Sequence, residues 1–317
     1  MLDRQECHII SSYFAPRGHN RMYSLGIQLA QLYLSPFDKL IGVIGEAGSG
    51  KSALIRGMFP GLELTNDDDG VYVRPLPLLE QDDEFGYFSP HTYHVDIRFE
   101  NAFTQMSVLA DAITQALKRG KRVIVEHFDL VYPLLGINAN LLIGAGEQIL
   151  VCRPTIFGPE PSEIRSAVYD SLPYRLMAHT AEDLCEFCMP PEELARCGHD
   201  DVKHGFIISF PDRMPDFDIV ELEKKVNAII ADNLPITYID ANHVSIGETP
   251  HYCTGPRIHV SHTGQIENFH LLHHFIYDRL SGQYLLVGCV GKDAEKNLQK
   301  LDEQQKLHPI LSFNDET

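Results

Sequence analysis

The feature that most constrains this chain is a glycine-rich run, Gly45-Glu-Ala-Gly-Ser-Gly-Lys-Ser52, which directly follows the largely apolar segment Lys39–Ile44. Apolar runs of this length are typical of strands buried in a parallel sheet, and we predict a helix at Ser52–Met58. Glycines at such a junction let backbone N–H groups curve around a phosphate. The run satisfies the spacing G-x-x-x-x-G-K-[ST] in full. The predicted nucleotide-binding residues are Gly45, Glu46, Ala47, Gly48, Ser49, Gly50, Lys51 and Ser52.

Carboxylates near this loop are candidates for holding Mg²⁺. Glu126 ends the apolar run Val123–Val125, and a Mg²⁺-dependent phosphate site needs such an acid beside the Ser52 hydroxyl. Lys51 would then reach the β- and γ-phosphates. Asp129 is the reserve candidate, and a helix-capping or solvated role for Glu126 is the alternative.

Three consecutive acids, Asp67, Asp68 and Asp69, follow a predicted strand at Gly61–Thr65. Adjacent carboxylates repel one another, so a loop that holds them is stabilised by a cation or by a hydroxyl-bearing substrate. We therefore expect one of the three to be catalytic and to orient the acceptor; a solvated acidic turn is the alternative. Residues 71–90 are predicted to form an irregular, solvent-facing excursion.

The order of predicted elements indicates two domains of different class. After an amphipathic helix at 21–34, strands and helices alternate up to a strand at Gln148–Cys152, as in a parallel sheet with flanking helices. The second half mixes short strands with a helix at Asp218–Asn233 and is predicted to be α+β. The loop 153–161 and a helix at Ser162–Ser171 form the predicted hinge. The predicted divisions are an N-terminal helical extension at 1–37, an α/β nucleotide-binding domain at 38–172 and an α+β domain at 173–317.

The net charge of −18 bears on the partners of the chain. The excess of acids is 7 up to residue 172 and 11 after it, so neither half favours a polyanion, and a tRNA partner is disfavoured by charge. No apolar run approaches the ~18 residues of a membrane span, and the N-terminus has no signal pattern. We therefore expect a soluble, cytoplasmic protein without a membrane partner.

The segment Lys121–Pro133 resembles the strand-and-loop sequence V-I-V-E-G-I of the uridine kinase and phosphoribulokinase group. The acidic loop at 67–69 is similar in position to the catalytic aspartate of that group. The resemblance covers about 38–155 and implies an α/β P-loop kinase that uses ATP and Mg²⁺ on a small-molecule acceptor. The chain departs from the group at His127, where the group has glycine, and it lacks an arginine-rich lid after residue 150.

Three segments of the second half, Met177–Leu184, His204–Pro235 and Cys253–Ile266, carry a second resemblance. In this order they resemble the H-T-A-x-H-L helix, the strand with a helix ending in N-L-P, and the C-G-G-T-H-V-x-x-T-G-E-I segment of the alanyl-tRNA synthetase editing domain, also called the second additional domain. The match spans about 173–290. It implies a metal site at which a mischarged aminoacyl ester is hydrolysed.

The spacing of metal-ligating residues in these segments suits zinc. His179 and Asp183 are four positions apart on a predicted helix, so both can face one ion, and Cys253 with His259 would complete a tetrahedral site. The gap between the cysteine and His259 is longer than in the editing family, so His262 is a competitor. A fold whose histidines are simply hydrogen-bonded is the alternative.

Other cysteines and histidines receive structural interpretations. Cys7, Cys152 and Cys289 are predicted to be buried thiols. His273 and His274 are predicted to be structural residues in a helix-like stretch at Leu271–Tyr277. A second cluster has spacing that suits a metal but matches no zinc motif well: Cys185, Cys188, Cys197 and His199.

Three functions follow from these expectations. The leading one is an ATP-dependent phosphotransferase fused to an editing-like domain, with in-line transfer of the γ-phosphoryl group. The second is a trans-acting aminoacyl-tRNA deacylase regulated by nucleotide. The third is a nucleotide-dependent ATPase switch, favoured by the missing arginine lid.

Overall fold

The computed structural model describes residues 10–66, 76–79 and 91–307, with side chains up to residue 303. The chain divides into two compact units, Met1–Pro173 and Tyr174–Thr317, which we call the first and second units. The acidic trio Asp67–Asp69 and most of the predicted excursion at 71–90 lie outside the described residues, as does Cys7. Within that excursion Leu78 is described, and it is buried in the core of the first unit.

The first unit is built on a six-stranded mixed sheet with the order β1-β6-β5-β2-β4-β3. The four strands β5, β2, β4 and β3 run parallel, whereas β6 and β1 are antiparallel to their neighbours. The strands are β1 (Ser11–Phe14), β2 (Leu40–Gly45), β3 (Thr92–Asp96), β4 (Arg122–Glu126), β5 (Leu141–Ala145) and β6 (Gln148–Cys152).

Helices cover both faces of this sheet because β2 is apolar on both sides. Leu40 and Ile44 face one hydrophobic cluster, and Ile41 and Val43 face the other. Near-continuous apolar strands of this kind require cover on each face. The helices of the first unit are His19–Tyr33, Lys51–Met58, Ile97–Glu100, Met106–Lys118 and Phe128–Leu135.

The helices His19–Tyr33 and Lys51–Met58 pack closely through two glycines. A Cβ atom on Gly26 would lie 2.3 Å from the Leu54 carbonyl oxygen, and one on Gly57 would lie 2.1 Å from the Tyr23 carbonyl oxygen. Larger residues would force these backbones apart. The amphipathic helix predicted near the N-terminus is thus part of the first unit, where it supports the helix that follows the glycine-rich loop.

Two predictions for the sheet are wrong. Gly61–Thr65 is not a strand; the strand beside β4 is β3, whose sequence was not recognised as one. The predicted strand at Gln148–Cys152 is present, but it pairs antiparallel with β5. An apolar run indicates burial and carries no information on the direction of the strand.

The predicted helix at Ser162–Ser171 is much longer in the structure, where it spans Pro161–Cys188. Pro173 lies inside it without ending it. A proline removes one backbone hydrogen bond, and apolar residues continue at helical spacing beyond it, with Met177, Ala181 and Leu184 buried in the second unit.

The second unit is α+β, with two antiparallel sheets. One has the order β12-β14-β8-β7, with β13 also paired to β14, and the other has the order β11-β10-β9. The strands are β7 (Gly198–Val202), β8 (Gly205–Phe210), β9 (Ile236–Asp240), β10 (His243–Ile246), β11 (Thr249–Tyr252), β12 (His270–Leu271), β13 (Ile276–Asp278) and β14 (Gln283–Cys289). The helices that begin in this unit are Pro191–Leu194, Ile219–Ala231 and Ala294–Leu307, with a 3₁₀ turn at Thr263–Gln265.

The core of the second unit lies between its helices and its larger sheet. Phe206 and Phe210 of β8 pack in one cluster with Leu222 and Val226 of the helix Ile219–Ala231. The predicted helix-like stretch at 271–277 is instead two short strands joined by a bend. Of the helices in the described ranges, none has both the length and the apolar character that a bilayer crossing requires.

Candidate functional site

The glycine-rich loop connects the end of β2 to the first turn of the helix Lys51–Met58. Gly48 and Gly50 adopt left-handed φ values of 76° and 90°, which glycine tolerates at little cost. Inside the loop, the Ser49 N–H donates to the Glu46 carbonyl oxygen at 3.2 Å. The loop and the positive end of the helix dipole therefore meet at the carboxyl edge of the parallel strands, where anions are stabilised.

Lys51 begins the helix that follows this loop and is almost fully buried, with 1% of its side chain exposed. Its Nζ atom donates to the Glu46 carbonyl oxygen at 2.8 Å and lies 3.5 Å from Oε2 of Glu126. Two residues predicted from separate motifs, Lys51 and Glu126, are thus brought together at the ends of neighbouring strands.

Glu126 is held in its ionised form by its neighbours. Burial alone would raise the pKa of Glu126, but the Lys51 ammonium and a hydrogen bond with His94 lower this pKa to about 2. The His94 Nε2 atom is 3.0 Å from Oε1 of Glu126, and the Thr65 backbone N–H donates to His94 Nδ1 at 3.1 Å. Because Nδ1 accepts that bond, the hydrogen is on Nε2, which donates to the carboxylate.

Asp96 and His127 join Glu126 in a buried cluster that the sequence did not predict. One ligand atom from each of the three residues lies within 4.8 Å of the others. Asp96 pairs with Glu126 in the register of β3 and β4, so both carboxylates end their strands at the same level. Carboxylates grouped in this way suit Mg²⁺.

The backbone of His127, the residue that follows Glu126, has an unusual conformation. This residue has a left-handed φ of 56°, a region in which glycine is the common choice and histidine is tolerated. Burial and the Lys51 ammonium lower the pKa of His127. The site therefore includes an imidazole on a residue with left-handed backbone, beside Glu126.

Arg98 is a cation that the sequence analysis missed. Its Nη1 atom is 2.6 Å from Oε1 of Glu46, within the glycine-rich loop, and this hydrogen bond lowers the pKa of Glu46. Arg98 and Glu46 are both partly exposed, so the guanidinium lies at the rim of the loop.

Asp129, the reserve candidate for a Mg²⁺ ligand, pairs with Arg165, whose Nε atom is 3.1 Å from Oδ2 of Asp129.

The low pKa of Glu126 predicts a specific acid dependence of stability. Its pKa is about 2 in the folded protein against an ordinary 4.5. Because the folded value is the lower one, the stabilisation is fully present above pH 4.5 and is lost as the pH falls towards about 2. The difference corresponds to about 3 kcal/mol.

Urea unfolding at several pH values between neutral and strongly acidic checks this prediction. We expect Glu126→Gln to show a smaller loss of stability on acidification than the wild type. The exposed Asp111→Asn change is the control and should follow the wild-type profile. The prediction is wrong if Glu126→Gln keeps the full wild-type acid dependence.

The second unit brings together three of the four predicted zinc ligands. His259 Nε2 lies 2.8 Å from Oδ2 of Asp183 and 3.7 Å from Sγ of Cys253, and the three ligand atoms form one cluster. The Gly255 N–H donates to the Cys253 sulfur at 3.2 Å. The Val260 backbone N–H donates a hydrogen bond to the Thr180 side-chain oxygen Oγ1 at 3.1 Å, which holds this segment against the long helix.

The geometry of this cluster fits zinc. Around a tetrahedral zinc ion, sulfur and nitrogen ligand atoms are about 3.6 Å apart, and nitrogen and oxygen atoms about 3.3 Å apart. The Cys253–His259 separation of 3.7 Å matches the first value. The His259–Asp183 separation of 2.8 Å is shorter and needs to open by only about 0.5 Å to match the second.

His179 and His262 are placed elsewhere. His179 lies on the same helix as Asp183, but its Nε2 atom is 3.5 Å from Asp201 and its Nδ1 atom 3.7 Å from Glu182. His262 is exposed and caps the turn Thr263–Gln265, so His259 is the histidine that reaches the cluster.

The predicted cysteine cluster does not form one site. Cys185 is fully buried, and burial raises the pKa of its thiol well above the ordinary range. Within the described part of the chain, His199 is the one of these four residues that belongs to a group able to hold a metal ion. The other members of that group are Glu182 and Glu186. These two acids were not singled out in the sequence, although their spacing of four puts them on one helix face and is a usable signal.

Histidines of β12 and the following bend have a structural partner. Glu223 lies 3.2 Å from His270 Nδ1 and 2.7 Å from His273 Nε2.

The predicted buried thiols Cys152 and Cys289 are buried, and burial raises their pKa values to about 12 and about 11.

Comparison of the chain with models of known protein families gives no match, and comparison with curated protein sequences gives none either.

Proposed function

We propose that the first unit binds a nucleoside triphosphate with Mg²⁺ and transfers its γ-phosphoryl group to a small-molecule acceptor. One observation carries this proposal. The buried side chains of Lys51 and Glu126 lie next to the glycine-rich loop, with Lys51 Nζ 3.5 Å from Glu126 Oε2. A buried ion pair of this kind is expensive to maintain. Its position beside a loop of left-handed glycines at a helix N-terminus favours a role in holding phosphate.

Each residue of the loop has a role in this proposal. Backbone N–H groups of Gly45–Ser52 would surround the phosphates, and Lys51 would neutralise charge on the β- and γ-phosphate oxygens as the bond between the γ-phosphorus and the bridging oxygen of the ADP leaving group breaks. The Ser52 hydroxyl and the carboxylates of Glu126 and Asp96 would hold Mg²⁺, which supplies further neutralisation of charge. The His94 N–H holds the Glu126 carboxylate in place.

The acceptor side of the proposal rests on the acidic trio. One of Asp67, Asp68 and Asp69 would orient the acceptor hydroxyl. The described residue just before them, Asn66, has its Nδ2 atom 3.4 Å from Oδ2 of Asp96. We expect the acceptor to be a small hydroxyl compound of the nucleoside type, and this class of acceptor is tested first.

Release of ADP from ATP and Mg²⁺ tests the proposal, first without and then with nucleosides and sugars as acceptors. A kinase gives ADP that rises with one acceptor, together with its phosphorylated product. A nucleotide-dependent ATPase switch gives ADP and phosphate without any acceptor. The proposal fails if calorimetry shows no binding of ATP with Mg²⁺ to the full chain.

A second candidate function is favoured by the number of ligands in the second unit. Asp183, Cys253 and His259 make three protein ligands, and catalytic zinc sites have three protein ligands and one open position. We propose that this cluster binds zinc, which supplies Lewis acidity for hydrolysis of an ester such as an aminoacyl ester. Hydrolysis of mischarged seryl- or glycyl-tRNA tests it, and no activity with or without ATP argues against this function.

A further inference from the structure

A second group of metal-type ligands lies next to the proposed zinc cluster and is not used by either proposed function. His199 Nδ1 is 3.0 Å from Oε1 of Glu182 and 3.4 Å from Oε1 of Glu186. One ring nitrogen therefore faces two carboxylates that are one helical turn apart. The two glutamates are buried, with 2% and 9% of their side chains exposed, whereas His199 is 29% exposed.

These separations suit the ligands of one metal ion. With ligand bonds of about 2.1 Å, neighbouring ligand atoms are about 3.0 Å apart in an octahedron and about 3.4 Å apart in a tetrahedron. The two distances from His199 cover this range. Two carboxylates and one imidazole are a donor set for a divalent transition metal such as Zn²⁺, Co²⁺ or Mn²⁺.

The second group is joined to the zinc cluster through His251. Asp183, Glu186 and His251 place one ligand atom each within 4.8 Å of one another, and His251 Nε2 is 3.8 Å from Oε2 of Glu186. Asp183 therefore belongs both to the proposed zinc cluster and to the group Asp183–Glu186–His251. That group in turn shares Glu186 with the second group.

The energetics of the long helix favour a cation at this position. Glu182, Asp183 and Glu186 put three buried carboxylates into little more than one turn. Buried charges of one sign are costly unless they are paired or coordinate a metal. Each of the three carboxylates faces at least one imidazole, at 2.8 to 3.8 Å, and an imidazole balances a carboxylate either as a protonated partner or as a fellow ligand of a metal ion. A divalent ion supplies two positive charges at the point where the side chains converge.

We propose that Glu182, Glu186 and His199 bind a second divalent transition-metal ion beside the Asp183–Cys253–His259 cluster. Access is from the side of His199, the most exposed of the three ligands. The two positions have different chemistry. The cluster with Cys253 includes a sulfur ligand, whereas Glu182, Glu186 and Nδ1 of His199 supply oxygen and nitrogen. The Cys197 sulfur lies at the other ring nitrogen, 3.8 Å from His199 Nε2. This difference allows each position to be detected separately.

Titration of the metal-depleted, reduced full chain with Co²⁺, followed by optical spectroscopy and by the amount bound, tests the proposal. Cobalt bound through a thiolate gives a sulfur-to-metal charge-transfer band, whereas cobalt bound by oxygen and nitrogen ligands gives only ligand-field bands. We expect His199→Gln to bind one equivalent less than the wild type and to keep the charge-transfer band. Cys253→Ser should lose that band and keep the ligand-field signal of the second position.

Glu182→Gln is the second variant, and circular dichroism confirms that each variant is folded. The exposed Glu192→Gln change is the matched control and should bind cobalt as the wild type does. The proposal is overturned if His199→Gln and Glu182→Gln both bind as many equivalents as the wild type. The proposal is also overturned if the wild type shows the charge-transfer band but binds no second equivalent of cobalt through oxygen and nitrogen ligands. That result would still agree with metal binding by the Asp183–Cys253–His259 cluster. A chain that binds no cobalt overturns both metal assignments and leaves the phosphate site untouched.

Discussion

Lys51→Ala is expected to lower nucleotide turnover by roughly 10²–10³-fold, the loss typical when one preorganised electrostatic donor is removed. Lys51 supplies a buried ammonium group at the loop, 2.8 Å from the Glu46 carbonyl oxygen, and water cannot replace it at this degree of burial. Release of ADP under saturating ATP and Mg²⁺ measures the effect. Lys118→Ala, an exposed lysine at the end of the helix Met106–Lys118, is the matched control and should retain the wild-type rate.

The same substitution also affects stability, and the experiment has to separate the two effects. Removal of Lys51 leaves the buried Glu126 carboxylate without its ammonium partner, which costs about 3–5 kcal/mol. The double variant Lys51→Met with Glu126→Gln removes both charges and should recover much of this stability. We expect it to fold and still to lack turnover. A folded double variant with wild-type turnover would contradict the proposed role of Lys51.

Much of the loop region could be predicted because its signals are local. The apolar run before Gly45 and the glycines after it predicted the strand, the turn and the helix from the twenty residues Lys39–Met58. Glu126 could be predicted for the same reason, since it directly ends an apolar run. The contact between Lys51 and Glu126 followed from the expectation that neighbouring parallel strands end at one edge.

His94 and Asp96 were missed because the wrong segment was assigned to the neighbouring position in the sheet. Thr92–Asp96 is a short run that ends in a carboxylate, the same pattern that identified Glu126, yet Gly61–Thr65 was chosen. Which of two short segments pairs with β4 depends on contacts across the sheet. A local pattern does not contain this information.

In the second unit the sequence predicted the candidate metal ligands better than the residues around them. Asp183, Cys253 and His259 meet, although the long gap between Cys253 and His259 left His262 as a competitor. His179 was assigned to the same site from the spacing of four alone, but its ring is directed at Asp201 of a strand that the sequence did not identify. Glu186 was passed over because a glutamate on a helix is usually exposed.

Cys253→Ser is expected to remove one equivalent of zinc from the chain and most of the stabilisation that this zinc provides. Metal that binds only the folded state stabilises it by about 4 kcal/mol at a free concentration 1,000-fold above Kd. Thermal unfolding with and without added zinc, together with the metal content by emission spectroscopy, measures both effects. We expect zinc to raise the melting temperature of the wild type clearly more than that of Cys253→Ser.

Two controls separate loss of the ligand from general damage to the core. Cys289 is also buried, but burial raises the pKa of its thiol to about 11, so it is not a ready zinc ligand. Cys289→Ser should therefore lower stability and leave the zinc content unchanged. His259→Gln should lose the same equivalent as Cys253→Ser, whereas the exposed His262→Gln should keep it. Equal zinc content in the wild type and in Cys253→Ser would show that the cluster is held together by its own hydrogen bonds, with His259 paired directly to Asp183.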